Sequence, residues 1–215
     1  MLVSSRHFLA STIFELDGTQ WFHDGEPVDM NSCNEKGYIE KSSLQNDTNV
    51  LKAFIFCNSE MLKSVKNYSV PMIIEVKEQT NQGFACLPTM STTIVEGNIL
   101  TSSSYEGPNK LMNYDFKVSK KELIEFTAER NSSFIFAPGD PLFKINGTKW
   151  FLVGLRQQST LTYWNLQYFE KQMCVATGIC SEEAIKALTS QTSSKDKITE
   201  CGMETVGEIL IELSF

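Results

Sequence analysis

Residues 136–155 read FAPGDPLFKINGTKWFLVGL, and the fold depends on how that stretch is parsed. Apolar segments at 142–145 and 150–155 flank Asn146-Gly147. That dipeptide favours the tight hairpin turn in which both central residues take positive φ. The parse is therefore strand, turn, strand. Gly139-Asp140-Pro141 sets a sharp bend ahead of the first strand, since proline fixes its own φ and offers no ladder donor.

Working outward, the same kind of segment recurs. Residues 1–16 read as a strand followed by a turn. Residues 17–49 are polar and punctuated by Asp17-Gly18, Asp24-Gly25 and Lys36-Gly37. VLKAFIFC (50–57) is a strand with Leu51, Ala53, Ile55 and Cys57 on one face, and PMIIEV (71–76) is a buried strand. Residues 93–100, 114–118 and 134–136 are further strands, while 120–127 fits helix and strand equally poorly. Short strands at a spacing of roughly 8–12 residues indicate a sandwich or barrel. Strand–helix alternation is missing, which argues against a parallel α/β sheet. The pattern changes after Leu161. WNLQYFEKQMC (164–174) predicts a helix packed on the barrel, and Ser181-Glu182-Glu183 caps a second short helix through Leu188. A Ser/Thr/Lys linker (189–197) leads to Val206, Ile209, Leu210 and Leu213, whose spacing predicts a final amphipathic helix packed on the core.

Composition narrows the function classes. The chain has 215 residues, 41% hydrophobic and 21% charged, enough for a sizeable core. Its net charge of -7 disfavours nucleic acid as a partner. No apolar run approaches the roughly 20 residues of a membrane helix. The six cysteines Cys33, Cys57, Cys86, Cys174, Cys180 and Cys201 suit disulfides, with the pairing left open. Glycosylation acceptors stand at Asn46, Asn67, Asn131 and Asn146, each followed by x-Ser/Thr. Together these point to the secretory route. The first 16 residues are not a signal peptide, because Arg6 and His7 interrupt them, so secretion implies a truncated start at Met1. Metal and cofactor chemistry find no support. His7 and His23 are the only imidazoles, no C-x-x-C occurs, and Asp17, Asp24 and Asp29 lack calcium-loop spacing. No phosphate-cradling glycine loop is present.

The stretch at 136–155 resembles the GDSGGPL element, hairpin and LVGI-type strand of trypsin-like serine proteases. Gly139-Asp140-Pro141-Leu142 matches both ends of that element, and Trp150–Leu155 matches the strand. The central Ser-Gly-Gly is missing. Residues 1–9 (MLVSSRHFL) resemble the segment presenting the catalytic histidine, which puts His7 at the base position and Phe8 at the adjoining cysteine. Val70-Pro71-Met72-Ile73-Ile74-Glu75-Val76, with Cys86-Leu87-Pro88 beyond it, resembles the strand that starts at the catalytic aspartate. Val70, or at best Ser69, stands there. The arginine-histidine start, the P-M-x-x-E strand and the closing LQYFEKQMCVATGIC (166–180) are similar to a large nematode family of trypsin-like proteins, many of unknown function.

The resemblance implies an all-β chymotrypsin/trypsin-like double β-barrel over 1–180. The first barrel is a remnant of about 1–88, the second spans about 89–163, and a closing helix covers about 164–174. Residues 181–215 form a partly helical tail. The first barrel is expected to be incomplete, because the family's strands before the histidine segment have no counterpart. Cys174 and Cys180 are expected to close a local disulfide, and Cys86 to be orphaned.

No intact catalytic set is expected. A serine attacks only when a base takes its proton, and a carboxylate must hold that base. Here the serine is cut away beside Asp140, or replaced by Pro138 in an ungapped alignment. Ser132 and Ser133 lie outside the bend, in a glycosylation signal. No acidic residue stands where trypsin-type preference for Lys or Arg would need one. The reading is a pseudoprotease: a secreted protein that binds an unknown protein or peptide ligand. An active serine endopeptidase, or a truncated glycoprotein without a ligand, are the alternatives.

Overall fold

The computed structural model describes residues 1–42, 44, 48–58, 61–62, 67–80, 83–89, 92–105, 111–130, 137–157 and 161–181. Its first half holds β1 (Leu2–Ser4), β2 (His7–Asp17), β3 (Gln20–His23), β4 (Glu26–Pro27), helix α1 (Met30–Lys36), β5 (Tyr38–Lys41), β6 (Val50–Phe56) and β7 (Asn67–Val76). These strands form one open sheet in the order β4-β3-β2-β7-β6-β5, with β1 paired to β2. The second half holds β8 (Ile99–Tyr105), β9 (Leu111–Lys121), β10 (Glu125–Glu129), β11 (Pro141–Asn146), β12 (Lys149–Arg156) and β13 (Thr162–Asn165). These close into a barrel in the order β10-β13-β12-β11-β8-β9. A 3-10 turn (Leu166–Phe169) then leads into α2 (Glu170–Thr177). The architecture is a double β-barrel whose first barrel is a half-barrel.

Local chemistry explains the elements. The hairpin of β11 and β12 pairs Asn146 with Lys149, so its two-residue turn is Gly147-Thr148, one position later than the sequence reading, and only Gly147 takes a positive φ, at 61°. The polar region 17–49 holds more structure than its turn residues announce. Asp24 and Gly25 both take positive φ, at 52° and 76°, which matches the right-handed twist of β3 and β4. Asp29 caps α1 by accepting from the Asn31 amide at 3.0 Å.

Three boundaries differ from the sequence reading. The strand placed at 93–100 runs instead from Ile99 to Tyr105; a turn precedes it, in which the Asn98 carbonyl oxygen of the side chain accepts from the Val95 amide. Residues 120–127 are a hairpin, the end of β9 and the start of β10. The closing helix begins at Glu170 and not at Trp164. Tyr163 and Trp164 are strand residues, paired to Arg156 and Leu155. Each is 1% exposed, so burial in the barrel overrides the helical spacing. The strand at 134–136, the helix from Glu182 to Leu188 and the tail beyond it lie outside the described residues.

Two disulfides are fully described: Cys174–Cys180, as expected, and Cys33–Cys57, which the sequence left open. Cys86 is also disulfide-bonded, so the expectation that it is orphaned is corrected. One core lies inside the closed barrel, around Phe116, Phe126, Leu142 and Tyr163. A larger one is continuous across both halves: Leu9, Phe56 and Ile73 pack in the same cluster as Phe143, Leu152 and Trp164.

Candidate functional site

The bend at Gly139-Asp140-Pro141 is held from three sides. The Gly139 amide donates to the Arg156 carbonyl at 2.9 Å, and the Arg156 amide donates to the Asp140 carbonyl at 3.0 Å. The Asp140 carboxylate accepts from the Ala137 amide at 2.6 Å, closing the bend on itself. Gly139 takes φ of +85°, and a Cβ there would stand 2.6 Å from the Ser11 hydroxyl. Only glycine fits a backbone that presses this close to β2 in that conformation. The bend then runs directly into β11, with Pro141 already paired to Leu155.

Asp140 and Tyr163 are both shifted by burial. Asp140 is pushed up to about 6, opposed by the Ala137 hydrogen bond and the positive charge of Arg156. The Tyr163 phenol is pushed up to about 12, again chiefly by burial.

β2 reaches this bend through Ser11 in its middle, and His7 is its first residue. His7 Nδ1 shares a 2.7 Å hydrogen bond with Ser4 Oγ in the β1–β2 hairpin and pairs across the sheet with Glu75. Arg6 occupies the Glu75 carboxylate at 3.2 Å. Burial, the largest influence, lowers the His7 pKa; Glu75 raises it and Arg6 lowers it. His7 stands four positions along β2 from Ser11, about 13 Å at about 3.3 Å per residue, and its hydrogen-bond partner is Ser4.

Val70 is fully buried and pairs with Thr12, and Ser69 pairs with Ile13. The Ser69 carbonyl accepts from the Trp164 indole at 2.6 Å, which ties β7 to the second barrel beside the bend. The β2 residues opposite these positions are thus Thr12 and a largely exposed Ile13, neither of them an imidazole.

Sequence reasoning missed one polar set. Thr12 Oγ1 and His23 Nε2 share a 2.7 Å hydrogen bond, and His23 Nδ1 stands 3.4 Å from the Asp24 carboxylate. Burial lowers the His23 pKa despite Asp24, which keeps the imidazole neutral. His23 is 2% exposed and meets Phe14 edge-on, with ring centroids 5.7 Å apart. Thr12 thus occupies Nε2, while Nδ1 is buried beside the Asp24 carboxylate without a hydrogen bond among the described residues. Only the pairing of β2 with β3 reveals it.

The remaining predicted sites are scattered. Asp17 and Asp24 stand at hairpin turns, and Asp29 caps α1, so the three carboxylates serve separate local roles. Asn146 is exposed at the end of β11, open to modification. Asn67 begins β7. Asn46, Asn131, Ser132 and Ser133 lie outside the described residues. No helix among the described residues is long and apolar enough to cross a membrane.

A family model, the nematode trypsin-6-like family, matches residues 1–180. The chain belongs to the nematode trypsin-6-like family. No curated protein matches the chain. Similar solved structures include two murine norovirus NS6 proteases, both inactive mutants with altered C-terminal extensions. They are 9% and 10% identical, with TM-scores of 0.37 and 0.38. The alignments cover 77% of this chain and 84% and 85% of theirs. Likenesses this distant carry no argument about this nematode trypsin-6-like chain.

Proposed function

We propose that this nematode trypsin-6-like chain is a secreted pseudoprotease, a protease frame that binds a protein or peptide ligand without cleaving it. The observation that carries the reading is the bend itself. Asp140 is followed at once by Pro141, so no nucleophile stands between them, and proline supplies no amide for an oxyanion. A working site needs nucleophile and base within hydrogen-bond reach. The side chain nearest Gly139 is the Ser11 hydroxyl, and His7 is four residues further along β2. Val70 offers no carboxylate to orient a base; in serine proteases even an asparagine in place of the triad aspartate costs about 10⁴ in rate. Disulfide-bonded cysteines support an oxidising, extracellular setting.

A second reading has one observation in its favour. Thr12, His23 and Asp24 repeat the hydroxyl–imidazole–carboxylate order of an acyl-transfer enzyme, which would make the chain an active hydrolase. The burial of His23 and its 3.4 Å separation from Asp24 weigh against it, since that distance exceeds hydrogen-bond length.

Fluorophosphonate labelling of the purified full chain separates the readings. The pseudoprotease predicts no labelling above that of a heat-denatured control. Robust labelling abolished by His7→Ala restores the serine endopeptidase reading, and labelling abolished by Thr12→Val moves catalysis to β2. Failure of the chain to melt cooperatively favours a glycoprotein without a retained ligand.

A further inference from the structure

The chain carries six cysteines, and four of them pair with each other. Cys33 is bonded to Cys57, and Cys174 to Cys180. Cys86 is disulfide-bonded as well, and those four sulfurs are already committed. The remaining cysteine of the sequence is Cys201.

Cys86 sits at the seam between the two halves, on the crossover from β7 to β8, and is 1% exposed. Its amide donates to the Trp150 carbonyl at 3.0 Å, and its carbonyl accepts from the Leu152 amide at 2.9 Å. These bonds lay it against β12 as an isolated parallel bridge to Phe151. The neighbouring Ala85 amide donates to the Leu2 carbonyl at 3.2 Å, which pins the same short stretch to β1 of the half-barrel. A cysteine gripped from both halves does not travel to meet a partner, so the partner has to be carried to it.

We propose that Cys86 bonds to Cys201, a disulfide that straps the C-terminal segment to the seam between the halves. The intervening chain is long enough. Residues 182–200 separate the last described residue from Cys201 and span up to about 60 Å at about 3.3 Å per residue, whereas a domain of this size is about 40 Å across. The bond begins ahead of β8 and ends beyond α2, so the whole closed barrel lies within one covalent loop. Its formation is a thiol–disulfide exchange. Cys86 and Cys201 each give up the thiol proton, their sulfurs join, and the two electrons reduce a disulfide donor to a pair of thiols. Oxidising secretory compartments hold such donors. The bond belongs to the frame and not to the bend, so its failure leaves the pseudoprotease reading untouched.

The test is disulfide mapping of the full chain, expressed behind an added leader into an oxidising secretory compartment. The chain is denatured with N-ethylmaleimide present, which blocks free thiols, and is then cut with trypsin without reductant. Trypsin cuts after Lys77, Lys110 and Lys197, so Cys86 is carried on peptide 78–110 and Cys201 on peptide 198–215. Mass spectrometry is expected to find these two peptides as one cross-linked species, which separates into its halves on reduction. The wild-type chain suffices, so no variant has to fold. A maleimide adduct on Cys201 or on Cys86, or Cys86 joined to any other cysteine, overturns the proposal.

Discussion

Asp140 holds its proton well above the usual carboxylate range, because burial at the bend raises its pKa from 3.8 to about 6. The raised folded value sets the sign of its effect on stability. Below about pH 4 the group is protonated in both states and its contribution is fully present. Between there and pH 6 the unfolded chain releases a proton that the folded chain keeps, so stability falls as pH rises, and it levels off above the folded pKa. The loss amounts to no more than about 2 kcal/mol, since the carboxylate is only partly buried and water screens it. Asp140→Asn should abolish this slope and raise stability at pH 7, while its amide oxygen still accepts from Ala137. Urea unfolding at pH 4, 5, 6 and 7 checks it, and an unchanged slope in the variant removes Asp140 as its source. At this scale the sequence carries the Gly139-Asp140-Pro141 bend, while the residue of β2 that meets it, Ser11, was not legible, because a strand's course in space is not written in its residues.

Among the elements, α1 depends most on its neighbours. Its seven residues are too few to persist alone, since isolated helices shorter than about 12–15 residues are marginal. Asp29 and Gly37 cap its ends, and the Cys33–Cys57 bond fixes it to β6 across a separation of 24 residues. Closing a loop of that length is worth about 3 kcal/mol in the chain-entropy account. Cys33→Ser with Cys57→Ser should therefore lower the unfolding free energy by about that amount, as read from the shift in urea midpoint. A shift under about a third of it would mean that the half-barrel holds α1 without the covalent link. The β11–β12 hairpin stands at the other extreme. Its strands follow from residues 136–155, since they pair with each other, whereas the bend also needs Arg156 and the distant Ser11. The β13 strand did not follow, because Trp164 is placed by Leu155 and by the distant Ser69, and helical spacing in WNLQYFEKQMC carries no trace of either.

For the whole molecule, the continuous core decides how the two barrels behave. Leu9 and Ile73 of the half-barrel share one cluster with Phe143, Leu152 and Trp164 of the closed barrel. An incomplete barrel exposes sheet edges and is a poor independent unit. It follows that the halves unfold together. Near-UV circular dichroism and tryptophan fluorescence should report one coincident transition, and Trp164→Ala should shift it by about 3–5 kcal/mol through the cavity it leaves. Two resolved transitions, with only one moved by the substitution, would show that the halves are independent. The sequence by itself determined the all-β class and the family frame, because each is local in the chain: alternation, turn chemistry and motif order. Tertiary structure alone decided that Ser11 meets the bend, that His23 Nε2 bonds to Thr12, and that Cys33 bonds to Cys57. Each of these is a contact between distant residues, made by strand pairing that residue order does not encode.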